Sequence, residues 1–489
     1  ISLAKLKVHI GESKDMIELD RVIKDGTIAT ASDTFAADIG IKDGRIVALG
    51  ENLSGDDVID ATGKLVLPGG IDAHVHIDQP KKGGIAMADD FRSGTRSAAA
   101  GGTTTIMPFA CQYRGESLRQ VVEDYHKKAD GKAVIDYAFH LIIADVNDQV
   151  MGQELPALIE DGYTSFKIYM TYPDLKLNDR ECLEIFSLAR RTGAMTMVHA
   201  ENADCIEWMT EQLLMAGKTG PKYHAVSRPP VVEKEATHRA ISLAEFLDVP
   251  ILIVHVSSAE AMEQIAIARQ KGLRIYGETC PQYLFLTADD LELDDEFEGA
   301  KYICSPPPRD KANQEKIWQG LANSTFDVLA SDHAPYSFDG PNGKKVVGED
   351  APFNKIPNGV PGLETRLPLL FSGGVNEGRI SLQKFVALTA TNPAKLYGLH
   401  PRKGTIAIGS DADIAIWDPD KKVTIANENL HHNVDYTPYE GIECTGWPVT
   451  VLSRGDVVVQ DCEVVASEGR GQFLRCDKPD PARPGMGTL

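Results

Sequence analysis

His74-Val-His76 closes an apolar run that begins Lys64-Leu-Val-Leu-Pro-Gly-Gly-Ile-Asp-Ala. The run predicts a buried β-strand. Residues i and i+2 of a strand face the same side, so both imidazoles point at one place, as in half of a metal site. Taken alone, the pair is equally a packed or surface pair of histidines. Four further segments change the balance. Ser165-Phe-Lys167-Ile-Tyr-Met, Met197-Val-His199-Ala-Glu, Ile253-Val-His255 and Leu329-Ala-Ser-Asp332-His333 each end or carry a strand-like run with a metal-capable group. Lys167 stands between Phe166 and Ile168, where a bare ammonium is costly. Either a nearby carboxylate pairs with it, or carbamylation by CO2 converts it into an anionic ligand able to bridge two divalent metals. Four histidines, one carbamate and Asp332 make the donor set of a binuclear hydrolytic centre. The histidines suit zinc, with cobalt or manganese as substitutes. Two metals acidify a bridging water, and Asp332 can take its proton and pass it to a leaving nitrogen.

These residues must be brought to one rim. The texture between them alternates strand and helix. Eight strands are predicted at 65–73, 103–109, 135–143, 164–170, 195–199, 251–256, 273–279 and 326–331, with helices clearest at 121–128, 180–191, 232–246 and 259–271. Eight such units predict a parallel (β/α)8 barrel, with a doubly wound open sheet as the alternative. Barrel sites form at the C-terminal strand ends, where the metal-capable groups fall. Short strands with turns occupy about 17–67, including an Asp43-Gly44 hairpin, and the texture returns at 404–407, 413–417 and 449–452. Both chain ends therefore predict one small β-sandwich domain, 1–67 with 404–475, around a 68–403 barrel, with 476–489 as a tail. From Arg470 onward the prolines predict an extended arm, either disordered or embracing a neighbouring subunit.

Composition narrows the class. With 489 residues, 43% hydrophobic, the chain has ample material for a core. A net charge of −21 argues against nucleic acid and anionic membrane surfaces as partners. The eight cysteines form no C-x-x-C pair and no disulfide framework, which favours a reducing cytoplasm. No apolar run is long enough to span a membrane. The first residues, Ile1-Ser-Leu-Ala-Lys, lack both an initiator Met and a signal-peptide shape, which leaves open whether the start is trimmed.

The joint order of these motifs resembles the dihydropyrimidinase/D-hydantoinase family of cyclic amidohydrolases, within the amidohydrolase superfamily. It covers about 22–475 and rests on Pro68-Gly-Gly-Ile-Asp-Ala-His-Val-His-Ile-Asp, Asp89-Asp-Phe-Arg-Ser-Gly-Thr, Gly101-Gly-Thr-Thr, Phe166-Lys-Ile-Tyr-Met-Thr-Tyr, Gly277-Glu-Thr-Cys-Pro-Gln-Tyr-Leu, Ser305-Pro-Pro, Ser331-Asp-His and Ile356-Pro-Asn-Gly-Val-Pro-Gly. The resemblance implies two zinc ions bridged by N6-carboxylated Lys167 and hydroxide. His74, His76, Lys167 and Asp332 would hold the more buried ion, and Lys167, His199 and His255 the other. It also implies that Tyr172 hydrogen-bonds the substrate carbonyl as an oxyanion develops, and that Ser305 and Asn358 contact the cyclic amide largely through backbone groups. A homotetramer and a small cyclic ureide or imide substrate follow from the same resemblance. The implied reaction opens dihydrouracil, dihydrothymine or hydantoins to N-carbamoyl amino acids, with Asp332 as general base and acid.

Departures from the family bear on specificity. Gln79-Pro-Lys-Lys-Gly-Gly replaces the usual Met-Pro and aromatic-Gly-Gly-Thr stretch, in a segment expected to border the pocket for the ring substituent. Ile77-Asp78-Gln79 lacks the Arg of a dihydroorotase, and Tyr172 with Ser305 and Asn358 favours this branch over allantoinase. A non-enzymatic scaffold relative would have lost metal ligands, whereas all six positions are filled here. No Gly-x-Ser-x-Gly elbow supports a serine nucleophile, and Cys280 and Cys304 lack a His partner in sequence.

Overall fold

A computed structural model describes residues 18–80, 84–293 and 297–484. Nine parallel strand segments form its central sheet: Gly70–Val75, Thr103–Cys111, Asp136–Tyr137, His140–Ile142, Ser165–Tyr169, Met195–His199, Ile251–Ile253, Ile275–Thr279 and Val328–Leu329. Each is followed in sequence order by its hydrogen-bonded neighbour except Asp136–Tyr137 and His140–Ile142, which are two pieces of the predicted 135–143 strand and both pair with Thr103–Cys111. A parallel bridge between Val75 and His333 joins the first strand to the segment after the last. Arg366, fully buried, reinforces this junction by donating to Ile71 O at 3.3 Å and Leu329 O at 2.8 Å. Strands such as Ser165–Tyr169 and Met195–His199 are buried along their whole length. That is the burial expected when helices cover a parallel sheet.

Helices appear where the periodicity placed them: Leu118–Ala129, Asp179–Thr192, Pro230–Leu247 and Ala259–Gln270. Asp179–Thr192 shows why. Asn178 accepts from the Glu181 N–H while the Glu181 carboxylate takes the Asn178 N–H, and Gly193 stops the helix at φ 75°.

Two antiparallel-rich sheets account for the chain ends. One has four strands, Arg45–Gly50, Asp38–Lys42, Arg21–Lys24 and Asp57–Asp60. Asp43 and Gly44, at φ 49° and 73°, form its predicted two-residue hairpin turn. A second, seven-stranded sheet runs Glu463–Val464, Asp456–Gln460, Glu443–Ser453, Ile414–Thr424, Leu65–Pro68, Thr27–Ala29 and Thr34–Ala36.

Three expectations need correction. The predicted 65–73 strand is two strands in two sheets. Leu65–Pro68 pairs with Ile414–Thr424, and Gly70–Val75 pairs with Thr103–Cys111. Gly69 makes the step, since a Cβ there would meet Thr104 Oγ1 at 2.2 Å. Gly404-Thr-Ile-Ala forms a bend and irregular backbone rather than a strand. The arm after Arg470 is ordered against its own chain through residue 484, where Leu474 donates to Tyr137 O at 2.7 Å and Cys476 to Gly162 O at 3.0 Å. The stretches 1–17 and 485–489 lie outside the described residues. None of the eight cysteines is in a disulfide. Among the described residues no helix is long and apolar enough to cross a membrane.

Candidate functional site

His74 lies within its strand, Lys167 in the middle of Ser165–Tyr169, and His199 at the last residue of Met195–His199. The Ile251–Ile253 and Val328–Leu329 strands are shorter than expected, and His255 and Asp332 sit just beyond their ends at φ 38° and 49°. Tyr172 has φ 66°. Three candidate residues thus occupy the left-handed region, where non-glycine residues cost energy and cluster at functional sites.

All six predicted ligands converge. The ligand atoms of His74, His255 and Asp332 lie within 4.8 Å of one another. Asp332 Oδ1 stands 3.1 Å from His74 Nε2 and 3.4 Å from His76 Nε2. His255 Nε2 and His199 Nδ1 are 2.9 Å apart. Lys167 Nζ lies 2.8 Å from His74 Nε2 and over the rings of Phe109 and Tyr169 at 4.7 and 4.9 Å. A cavity of about 430 Å³ opens onto this cluster and also reaches Tyr172, Ser305 and Asn358. A larger cavity of about 890 Å³ lies alongside but contains none of the candidate ligands.

Partners one layer out aim the imidazoles. His74 donates from Nδ1 to Glu278 at 2.6 Å, His199 from Nε2 to Glu201 at 2.7 Å, and His76 from Nδ1 to Gln79 Oε1 at 3.1 Å. Each bond fixes its ring so that the other nitrogen turns inward, the orientation that metal-binding histidines require. Buried His255 Nδ1 makes no hydrogen bond among the described residues. This set of inward ring nitrogens beside a carboxylate fits a divalent metal ion.

Electrostatics keep most of these rings neutral, with His74 the exception. Burial pushes His76 down to about 3 and His255 well below its ordinary value, so both stay neutral. Burial also depresses His74, but Glu278 and Asp332 more than offset it and raise its pKa. Asp332 resists the upward pull of burial because His74 and His76 hold its carboxyl well below the usual range. Burial opposes ionisation of Glu201 too, yet Arg228 and His199 bring it to about 2. An ammonium at Lys167 depresses each neighbouring imidazole. Carboxylation would reverse that sign.

Tyr172 is half-buried, and burial raises its phenol. The side chains of Arg228, Ser305 and Asn358 pull it back down, which places all three beside the hydroxyl. Among the described residues nothing accepts from the Asn358 N–H and nothing donates to the Ser305 C=O. A donor and an acceptor therefore remain open at one wall of the cavity.

Gln79 departs from the expectation that its segment borders the substituent pocket. Its side chain turns inward, bonding His76 and donating to Phe109 O at 2.9 Å. Lys81, Lys82 and Gly83 lie outside the described residues. Sequence reasoning missed Glu278, Glu201 and Arg228 as supports. Glu278 carried a signal, a charge inside the apolar Ile275–Thr279 strand. Glu201 stands two residues after His199. Arg228, which bonds Glu201 at 2.9 Å and lies 5.7 Å from the Tyr172 ring, has no periodic signature.

Comparison with known proteins agrees with the geometry. Residues 65–458 match the amidohydrolase family. A D-hydantoinase of Geobacillus stearothermophilus is 49% identical over 461 residues, 94% of this chain and 96% of that protein. A D-hydantoinase of Streptomyces coelicolor is 45% identical, covering 92% and 97%. The crystal structure of dihydropyrimidinase from Brevibacillus agri NCHU1002 superposes with a TM-score of 0.91 at 46% identity, covering 94% of this chain and 99% of that one. With its motifs, its fold and its relatives in agreement, the chain belongs to the amidohydrolase family, as a cyclic amidohydrolase of the hydantoinase and dihydropyrimidinase group.

Proposed function

We propose that this enzyme hydrolyses the cyclic amide bond of dihydropyrimidines, hydantoins or both, releasing N-carbamoyl amino acids. One observation carries the reading: five of the six candidate ligands line one cavity together with an open donor–acceptor pair, and the sixth, His74, lies directly beneath within reach of His255 and Asp332. His74, His76, Lys167 and Asp332 would hold one zinc ion, and N6-carboxylated Lys167, His199 and His255 the second. Bound there, the ions supply Lewis acidity, which lowers the pKa of water and polarises a carbonyl.

The chain's own groups do the rest. Asn358 N–H and Ser305 C=O read the amide edge of the ring and fix its carbonyl toward the cluster. Asp332, ionised at neutral pH, takes the proton of the attacking water. As the carbonyl carbon becomes tetrahedral, the Tyr172 hydroxyl donates to its oxygen. The ring C–N bond then breaks. Asp332 returns the proton to the leaving nitrogen, which becomes the terminal amide of the carbamoyl group, and the carbonyl carbon becomes a carboxylate.

The same reading extends to architecture. The Val75–His333 bridge supports a closed (β/α)8 barrel over 68–403, with 1–67 and 404–475 as the β-sandwich domain. The proposal includes a homotetramer, as the resemblance implies, and a cytoplasmic location, which eight cysteines outside any disulfide favour. Ring opening of dihydrouracil and hydantoin by zinc-loaded protein, followed by ultraviolet loss beside a chelated control, tests the proposal. Loss of either absorbance, abolished by chelation, is expected. Inactivity on both with two metals bound would discard the substrate assignment.

A further inference from the structure

Lys344 is the feature that the proposed chemistry leaves unused. Its side chain is fully buried, behind the wall that carries Ser305 and Asn358. The amine donates to Ile303 O at 3.1 Å and to Pro357 O at 3.0 Å. Both acceptors are neutral carbonyls. Burying a lysine for two such bonds is unfavourable compared with an apolar side chain of the same length. What the amine supplies instead is a fixed link between two loops.

The backbone around it is built for that position. Lys344 N–H bonds Ser337 O at 2.8 Å. Gly343 before it has no room for a side chain, because a Cβ would lie 1.9 Å from Ser337 O. The two linked loops also meet through Gly359 N–H and Ile303 O, at 2.9 Å. Pro357 O has Lys344 as its side-chain donor.

Peptide geometry carries the consequence. In a trans peptide the C=O and N–H point in opposite directions. The Pro357 carbonyl and the Asn358 N–H belong to one such unit. Drawing the carbonyl toward Lys344 turns the N–H the other way. That N–H has no acceptor among the described residues, and Asn358 lines the cavity. A donor on the carbonyl oxygen also polarises the unit and strengthens its N–H as a donor, more so when that donor is charged. On the other loop, Ile303 lies two residues before Ser305, whose C=O is likewise open.

We propose that Lys344 is a positioning residue for substrate recognition: by tying the Ile303 and Pro357 carbonyls together, it sets the spacing and aim of the Ser305 C=O and Asn358 N–H. The proposal rests on the reading of those two groups as the partners of the ring amide.

The charge on this link is tunable. Burial brings the Lys344 amine down to about 7, while Cys304 acts in the opposite direction. His224 is the other titratable group facing it, bonded to Cys304 O at 2.9 Å and held near 3 by burial, hence neutral. As pH rises through about 7 the ammonium loses its charge. The neutral amine still has two N–H bonds for two carbonyls, but weaker ones.

Lys344→Met keeps the chain length and removes the donors. The expected result is a rise in KM for hydantoin and dihydrouracil of about tenfold, with kcat within about threefold and zinc content unchanged. An unchanged KM, or a rise matched by lost zinc and lost kcat, overturns the proposal. Amide hydrogen exchange on the same pair of proteins is independent of the substrate. Acceleration confined to peptides covering 303–306 and 356–359 is expected, and unchanged or protein-wide exchange counts against it. Failure of the wild-type enzyme to open either ring removes the proposed function, while the exchange measurement still judges Lys344. Should Lys344→Met not fold, the wild-type KM decides. A rise between about pH 6 and about pH 8.5 without a matching change in kcat supports the link, and a flat profile overturns it.

Discussion

Glu278, Glu201 and Gln79 each take one ring N–H from a histidine of the cluster and leave the other nitrogen facing inward. Lys167 occupies the centre of that arrangement, where its role turns on charge. As an ammonium it depresses the surrounding imidazoles, and as a carbamate it would be an acceptor for two cations. Lys167→Ala is therefore expected to abolish loading of the bridged pair of metals, measured as zinc per chain. Addition of a short carboxylic acid should restore part of it. Full zinc occupancy and activity without such an acid would refute the carbamate role. Tyr172 is a different case, since its proposed role is to donate to the substrate rather than to hold metal. Tyr172→Phe should lower kcat by about 10²–10³-fold, the scale of losing one oxyanion donor, with metal content intact. Unchanged turnover would remove the phenol from the mechanism.

At the scale of elements, the site depends on where strands stop. Ile251–Ile253 and Val328–Leu329 end early, and the left-handed turns at His255 and Asp332 swing these side chains over the rim. The opposite end is set by Gly69, where the chain leaves the seven-stranded sheet and enters the parallel one within a single residue. Its amide bonds Asp413 O at 2.9 Å, and the Thr104 side chain fills the space a Cβ would need. Gly69→Ala forces these strands apart. It should destabilise the protein by about 1–3 kcal/mol, as overpacking does, and lower Tm measured by calorimetry. A Tm equal to that of the wild type would show that the two sheets can separate at this point without cost.

Across the whole molecule, one buried ionic cluster ties the sheets together. Lys403 Nζ lies 2.8 Å from Asp136 of the parallel sheet and 2.7 Å from Asp413, next to the seven-stranded sheet. Arg454 joins from the far hairpin, 3.0 Å from Asp136. Burial opposes the Lys403 cation, but Asp413 and Asp136 raise its pKa above the ordinary value. Its contribution is thus fully present below the pKa of an unfolded lysine and is lost only as pH rises through the higher folded value. Lys403→Met would strand buried carboxylates, at a cost of about 3–5 kcal/mol. Thermal unfolding should shift down while zinc content per folded chain stays constant. A stability equal to wild type would show that Arg454 alone neutralises the cluster.

The candidate residues for chemistry were legible in the chain because their signals are local. Two histidines at i and i+2, a lysine between apolar neighbours, and an Asp-His pair at a strand end need only strand periodicity to be read. Alternation of strand and helix likewise follows from local patterns, and the capped helix Asp179–Thr192 carries its boundaries in its own sequence. Supports such as Arg228 could not be read this way. Their partners are distant along the chain, and only packing brings Arg228 to Glu201 and Tyr172. The split at Gly69 was hidden for the same reason. One continuous apolar run serves two sheets, and hydrophobicity does not record which neighbour each half pairs with. Lys344 shows the limit most plainly. It stands in a polar, glycine-containing stretch that reads as a solvated loop, and its burial exists only because Ser337, Ile303 and Pro357 close around it. The sequence by itself determined which groups could bind metal and move a proton. Tertiary structure decided which of their neighbours aim them, because aim is set by contacts between segments that share no local pattern.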